Sequence, residues 1–136
     1  MDFADYIATH KVVWGTPDTQ KSVSLQRMAT AHIDIVCAMD IDEHNSSLLF
    51  AQGYECLRQI LEAMALLEGY KVYSHEAYVA YLQQKGEVLL SHRFDRLRKL
   101  RNGINYYGKP ISLASAQEGL KEIKESMDRL IATYLS

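Results

Sequence analysis

The segment that most limits how this chain can fold is LLFAQGYECLRQILEAMALLEG, residues 48–69. Its apolar side chains recur every three or four residues and form a stripe broad enough to contact two neighbouring elements. This stripe predicts a long helix that ends at Gly69, where glycine suits a left-handed cap. Gly53 lies inside the helix at a cost of about 1 kcal/mol relative to alanine, so we expect another helix to pack closely against it.

Four further helices are predicted from the same period and from capping residues. The first begins with the Thr16 hydroxyl as N-cap and Pro17 at the first helical position. In it, apolar residues recur at three- and four-residue spacings: Val23, Met28, Ile33, Ile35, Val36 and Met39. The predicted helices span 17–41, Ser74 to Gly86, Leu89 to Ile104, and Ser112 or Ser115 to Tyr134. No stretch alternates convincingly as a strand, and VYSHEAYVAYL comes nearest. We therefore predict an all-α fold, an up-and-down helical bundle of four to five antiparallel helices.

The length and charge of the chain limit which classes of protein it can belong to. The 136 residues suit one domain, with a core over about 17–135 and residues 1–16 as an N-terminal extension. The formal charge of −2 excludes a uniformly basic protein. The N-terminus is acidic where a signal peptide needs basic residues, and no apolar run approaches the roughly 18 residues of a membrane span. We expect a cytoplasmic protein without a membrane segment. Cys37 and Cys56, inside apolar segments, are expected to be buried and reduced.

Few residue patterns point to catalysis or metal binding. The five histidines have no three- or four-residue spacing, and none has a cysteine nearby in metal-ligand spacing. The Glu-x-x-His pattern of metal sites in helical bundles is missing too. There is no glycine-rich phosphate loop and no nucleophile-elbow motif. We predict neither a metal site nor a cofactor.

The most informative stretch runs from His92 to Arg101, where six of ten residues are arginine, lysine or histidine. On a helix, Phe94, Leu97, Leu100 and Ile104 form the inward seam, with Arg101 at its border. Arg98, Arg101 and Asn105 share one side. A guanidinium at such a border is costly to bury unless a carboxylate, phosphate or carbonyl meets it. Two interpretations remain open: a site for an anion, or a structural ion pair with Glu55, Glu62 or Glu68.

The helix continues into RNGINYYG, residues 101–108. With the earlier segment LLFAQGYECLRQILEAMALLEGYKVYSHEAYVAYL, it resembles the HEPN family of small helical-bundle domains over about residues 18–135. Active members resemble metal-independent ribonucleases in which an arginine, a polar neighbour and a histidine four to six residues later act across a dimer interface. Arg101 and Asn102 match the first two. Tyr106 and Tyr107 stand where the histidine is expected, and His92 lies nine residues before Arg101, too far along the same helix to replace it.

The resemblance therefore implies a binding module without ribonuclease chemistry. It would contact a nucleotide or RNA phosphate at the cleft of a homodimer. The residues expected to do so are Arg98, Arg101, Asn102, Asn105, Tyr106 and Tyr107. A separately encoded nucleotidyltransferase, as in toxin–antitoxin-like systems, is the implied partner. Two alternatives stay open: an endoribonuclease that uses tyrosine in place of histidine, and a purely structural helical dimer.

Overall fold

Helix α3, Ser46–Leu67, forms the centre of the fold in the computed structural model, which describes all residues from 1 to 136. Thirteen of its 22 residues are buried. It packs against α2 (Thr19–Ala38), α5 (Val88–Tyr107) and α6 (Leu113–Leu130). The predicted all-α helical bundle is confirmed, and the wide apolar stripe of α3 is what lets it contact several helices at once.

Shorter elements close one end of the bundle. They are α1 (Phe3–Ala8), β1 (Val12–Trp14), β2 (Tyr70–Val72), α4 (Ala77–Gln84) and a π-helical turn, Ile131–Leu135. The two strands pair antiparallel, with Val12 opposite Val72 and Trp14 opposite Tyr70. Residues 1–16, which the sequence pattern placed outside the core, contribute Phe3, Tyr6 and Val12 to it.

Local signals account for most helix ends. Gly69 and Gly108 have positive φ angles of 88° and 61° and end α3 and α5. The end of α3 at Gly69 is as predicted. Ser112 caps α6 by accepting a hydrogen bond from the Ser115 backbone N–H at 3.1 Å. The predicted Thr16 cap of α2 is wrong. Asp18 is the N-cap, because its carboxylate accepts from the Lys21 N–H at 3.0 Å and the helix starts after it.

Two glycines let α3 and α6 approach closely. A Cβ on Gly53 would overlap the Leu120 side chain of α6. In return, a Cβ on Gly119 would lie 2.6 Å from the Phe50 ring of α3. The close packing predicted at Gly53 is therefore confirmed, and the two helices interlock through reciprocal contacts.

Helix α2 is an edge helix that packs mainly on α3. Its buried residues form one narrow line: Ser22, Ala29, Ile33 and Val36. The other apolar residues of its period, Val23, Met28, Ile35 and Met39, are exposed. Cys37 is exposed as well, so its predicted burial is wrong, while Cys56 is buried as predicted. One neighbour, α3, covers most of the buried face of α2, and the periodicity of a helix does not reveal how many neighbours it has.

None of the helices combines the length and the apolar character that crossing a membrane requires.

Candidate anion-binding cleft

Helix α5 carries its apolar seam as predicted. Phe94 and Leu97 are buried against the bundle, and Leu100 and Ile104 are half-buried. The seam fixes the rotation of α5, so the positions of its basic side chains follow from it. Arg101 consequently lies at the edge of the seam, half-buried, facing α3.

Arg101 differs from every other arginine and lysine of α5 in its partners. Arg93 and Arg96 pair with Glu122 of α6, and Arg98 and Lys99 pair with Asp95. Arg101 has no carboxylate within ion-pair distance. A half-buried guanidinium without a carboxylate keeps donors available for another anion.

The carboxylates that the sequence suggested as partners of Arg101 form ion pairs with other residues. Glu55 and Glu62 both contact Arg58 of their own helix, at 2.6 and 2.7 Å. Glu68 pairs with Lys85. The structural ion pair that was left open for Arg101 is therefore not formed.

Two side chains hold the Arg101 guanidinium in place. Its central carbon lies 5.7 Å from the centre of the Tyr54 ring, in cation–π range. With the Asn105 amide oriented by its hydrogen bonds, the amide oxygen accepts from Nη2 at 3.0 Å and from Nε at 3.1 Å. The Nη1 group has no hydrogen-bond partner and remains free for a ligand.

Arg101 and Asn105 line a cleft of 350 Å³ between the start of α3 and the end of α5, which we call the Arg101 cleft. The remaining wall comes from α3 and one further residue of α5: Ser47, Leu48, Ala51, Gln52, Glu55 and Ile104. One face is thus cationic and the other mixes small, amide and carboxylate groups. The cleft suits a small anion or one phosphate of a larger ligand.

A histidine lies close to the Tyr54 hydroxyl. Nδ1 of His75, from the turn before α4, is 3.1 Å from the hydroxyl oxygen, and the tautomer decides which group donates. Tyr78 of α4 packs 6.5 Å from the imidazole, centre to centre, and its own buried hydroxyl has no partner. His75, Tyr54 and Arg101 are thus linked through one tyrosine side chain.

Burial and positive charge set the protonation of this cluster. Burial lowers the pKa of His75, and the charges of Arg58 and Arg101 lower it further, so the imidazole is neutral at pH 7. Burial raises the pKa of Tyr54 although Arg101 and Arg98 oppose the shift, so its hydroxyl keeps its proton. Burial would lower the pKa of Arg58, but its hydrogen bonds to Glu55 and Glu62 raise it instead.

The other predicted contact residues are not gathered around Arg101. Arg98 is held by Asp95, with Nη2 2.7 Å from the carboxylate oxygen. Asn102 is half-buried. Tyr106 and Tyr107 are 70% and 74% exposed at the end of α5. Of the six residues, the structure joins Arg101 with Asn105 and leaves the tyrosines open to solvent.

Sequence reasoning missed Tyr54 and His75 as neighbours of Arg101. Tyr54 was assigned to the apolar stripe of α3, and His75 was treated as one of five scattered histidines. They lie 21 residues apart and meet only because the turn after β2 returns along α3. The one available signal was chemical: a tyrosine in a fully buried stripe usually needs a hydrogen-bond partner for its hydroxyl.

No three or more histidine, cysteine, aspartate or glutamate side chains converge as a metal site. Comparison with family models, curated proteins and solved structures finds no match to this chain.

Proposed function

We propose that the chain is a HEPN-like binding module that holds a phosphate of a nucleotide or of single-stranded RNA in the Arg101 cleft. One observation carries this proposal: Arg101 is the sole arginine or lysine of α5 without a carboxylate partner. Asn105 orients the guanidinium, and Nη1 keeps its donors free for the ligand. The exposed Tyr106 and Tyr107 supply aromatic faces for a base. The nucleotidyltransferase partner implied by the resemblance belongs to the same proposal.

The test is a titration of ATP, UTP and a short unstructured RNA against the wild type and Arg101→Ala. Loss of one charge-assisted phosphate contact should weaken binding about tenfold or more. Arg101→Lys keeps the charge and loses the planar fork, so it should fall between the two. Lys121→Ala is the matched control, because Lys121 is exposed on α6, has no ion pair and does not line the cleft. Folded wild type that binds none of the three ligands contradicts the proposal.

A second function, endoribonuclease, is favoured by the position of His75. Its pKa is lowered, so at pH 7 the imidazole can accept a proton, as a general base must. Tyr54 engages Nδ1 and leaves Nε2 without a protein partner. In this candidate, His75 takes the proton of a ribose 2′-hydroxyl as its oxygen attacks the neighbouring phosphorus. The bond from phosphorus to the 5′-oxygen breaks, the leaving 5′-oxygen takes a proton from water, and Arg101 stabilises the charge on the phosphate.

Cleavage of unstructured RNA in EDTA distinguishes the two functions. The nuclease should lose activity in His75→Asn and in Arg101→Ala, and the products should carry cyclic phosphate and 5′-hydroxyl ends. The binding module should retain RNA intact in both variants and lose affinity only with Arg101→Ala. RNA that stays intact at high protein concentration removes the nuclease and leaves the binding module standing.

A further inference from the structure

Helix α2 presents a second apolar stripe that no element of the chain covers. Met28, Ile35 and Met39 are 45%, 60% and 50% exposed. With the small residues Ser24 and Ala31, they follow one another at spacings of four, three, four and four residues. This is the spacing of a seam along which two helices pack side by side. The stripe lies apart from the line that buries α2 on α3.

We propose that this stripe pairs two copies of the chain, with their α2 helices antiparallel about a two-fold axis close to Ala31. A two-fold interface requires a surface that is complementary to itself. Read in opposite directions, the stripe places Met28 of one copy opposite Ile35 of the other. It also places the small Ser24 opposite the large Met39. Each bulky side chain therefore meets a partner of suitable size.

The charges on α2 match this pairing. Arg27 and Asp34 are the only arginine, lysine, aspartate or glutamate residues between Ser22 and Met39. They are seven residues apart and so share one flank of the stripe. In the antiparallel pair, Arg27 of each copy lies beside Asp34 of the other. A parallel pair would place this charged flank of the two copies on opposite sides of the seam, so the Arg27–Asp34 contacts could not form.

Both charges are available for such a contact. Arg27 is exposed and forms no ion pair within the chain. Asp34 is 67% exposed, and its one contact is Lys124 at 3.7 Å, close to the limit of an ion pair. Two Arg27–Asp34 contacts would therefore form without breaking a strong intramolecular one.

A groove beside the stripe can accept side chains of the second copy. A groove of 440 Å³ between α2 and α3 is lined by Ile35, Met39 and Leu48, and Leu48 is itself 60% exposed. Leu48 and Gln52 line the Arg101 cleft as well. The second copy consequently stands next to that cleft. The pairing does not rest on the cleft binding an anion and is tested separately.

Sedimentation velocity over a range of concentrations tests the pairing by charge exchange. Wild type should sediment as a dimer that dissociates on dilution. Arg27→Asp and Asp34→Arg should each raise the dissociation constant about tenfold or more, because like charges replace both attractive contacts. The double variant restores opposite charges and should return close to wild type. Lys71→Asp, an equal charge change at an exposed residue of β2, should leave the dimer unchanged.

Each other outcome overturns the proposal. A monomer at every concentration does so, and so does a dimer that ignores both single exchanges. A dimer that survives Ile35→Gln and dissociates with Tyr106→Ala would place the interface at RNGINYYG instead. Circular dichroism should show that Ile35→Gln folds, since this side chain is 60% exposed in the single chain.

Discussion

The two ends of α5 differ in whether their positively charged side chains have carboxylate partners. Before Arg101, the helix is packed against α6, and Glu122 receives both Arg93 and Arg96. From Arg101 to Tyr107 no residue is buried, and the one arginine has no carboxylate. A cation that serves cohesion is given its counter-charge within the fold. Arg101 has no such counter-charge, and this is what the proposed contact with a ligand requires.

The largest expected effect on stability comes from adding a methyl group where α6 packs closely against α3. In Gly119→Ala, the new methyl group would lie 2.6 Å from the Phe50 ring, which is fully buried, so the surrounding core would have to shift. Overpacking of this kind should lower the free energy of unfolding by about 1–3 kcal/mol, partly offset by better helix propensity. Chemical denaturation measures it.

Gly103→Ala is the matched control at the open end of α5. Its Cβ would meet nothing closer than Lys109 Cβ at 3.9 Å, and the backbone is helical. The gain in helix propensity should stabilise the protein by up to about 1 kcal/mol. If both alanines destabilise equally, the α3–α6 contact at Gly119 is not packed more closely than the open end of α5.

The next effect comes from removing the counter-charge at the packed end. Glu122→Gln leaves Arg93 and Arg96 without their shared carboxylate, which is buried between α5 and α6. The arginines are 30% and 52% exposed, so water compensates part of the loss. We expect a decrease of about 1–2 kcal/mol in the free energy of unfolding. High salt should reduce the difference from wild type, and an effect unchanged by salt would point to packing instead.

Most of the features that the sequence predicted correctly depend on residues that lie nearby along the chain. Gly69 and Gly108 end their helices because of their own backbone freedom, and Asn105 reaches Arg101 one helical turn away. The exposed stripe of α2 and the contact between Tyr54 and His75 depend instead on where other elements settle. Periodicity reports a helix face and says nothing of what covers it.

The carboxylates of α3 also show which pairing partners can be predicted from a sequence and which cannot. Glu55 was a candidate partner for Arg101 across helices, and it pairs with Arg58 three residues along its own helix. Local pairs form at less entropic cost than distant ones, and this preference could have been read from the sequence. The absence of any carboxylate partner for Arg101 could not be predicted from the sequence.

A fall in pH should lower the stability of the protein in two separate pH ranges. One is set by His75, beside Tyr54, and the other by Glu87, at the start of α5. Burial lowers the pKa of His75 below 6.5, so the unfolded chain takes up a proton first and stability falls as pH drops from about 6.5. Hydrogen bonds from Arg129 lower the pKa of Glu87, the N-cap of α5, below 4.5. Its contribution is complete above pH 4.5 and is lost as pH falls through the lowered value.

Melting temperatures between pH 8 and 3 measure both windows. His75→Asn should flatten the profile near pH 6 and leave the acid limb, whereas Glu87→Gln should do the reverse. A profile with a single transition that neither variant alters would contradict this assignment.

The smallest expected effect is that of Arg101→Ala on the protein without ligand. Arg101 has no ion pair to lose, and its contacts are one amide oxygen and one aromatic face. Its removal should change the free energy of unfolding by no more than about 1 kcal/mol. The rise in melting temperature that ATP or RNA gives the wild type should disappear in the variant, because a ligand stabilises only the state that binds it. A marked loss of stability without ligand would class Arg101 with Arg93 and Arg96 as a structural cation, and the contrast between the two ends of α5 would no longer mark a site.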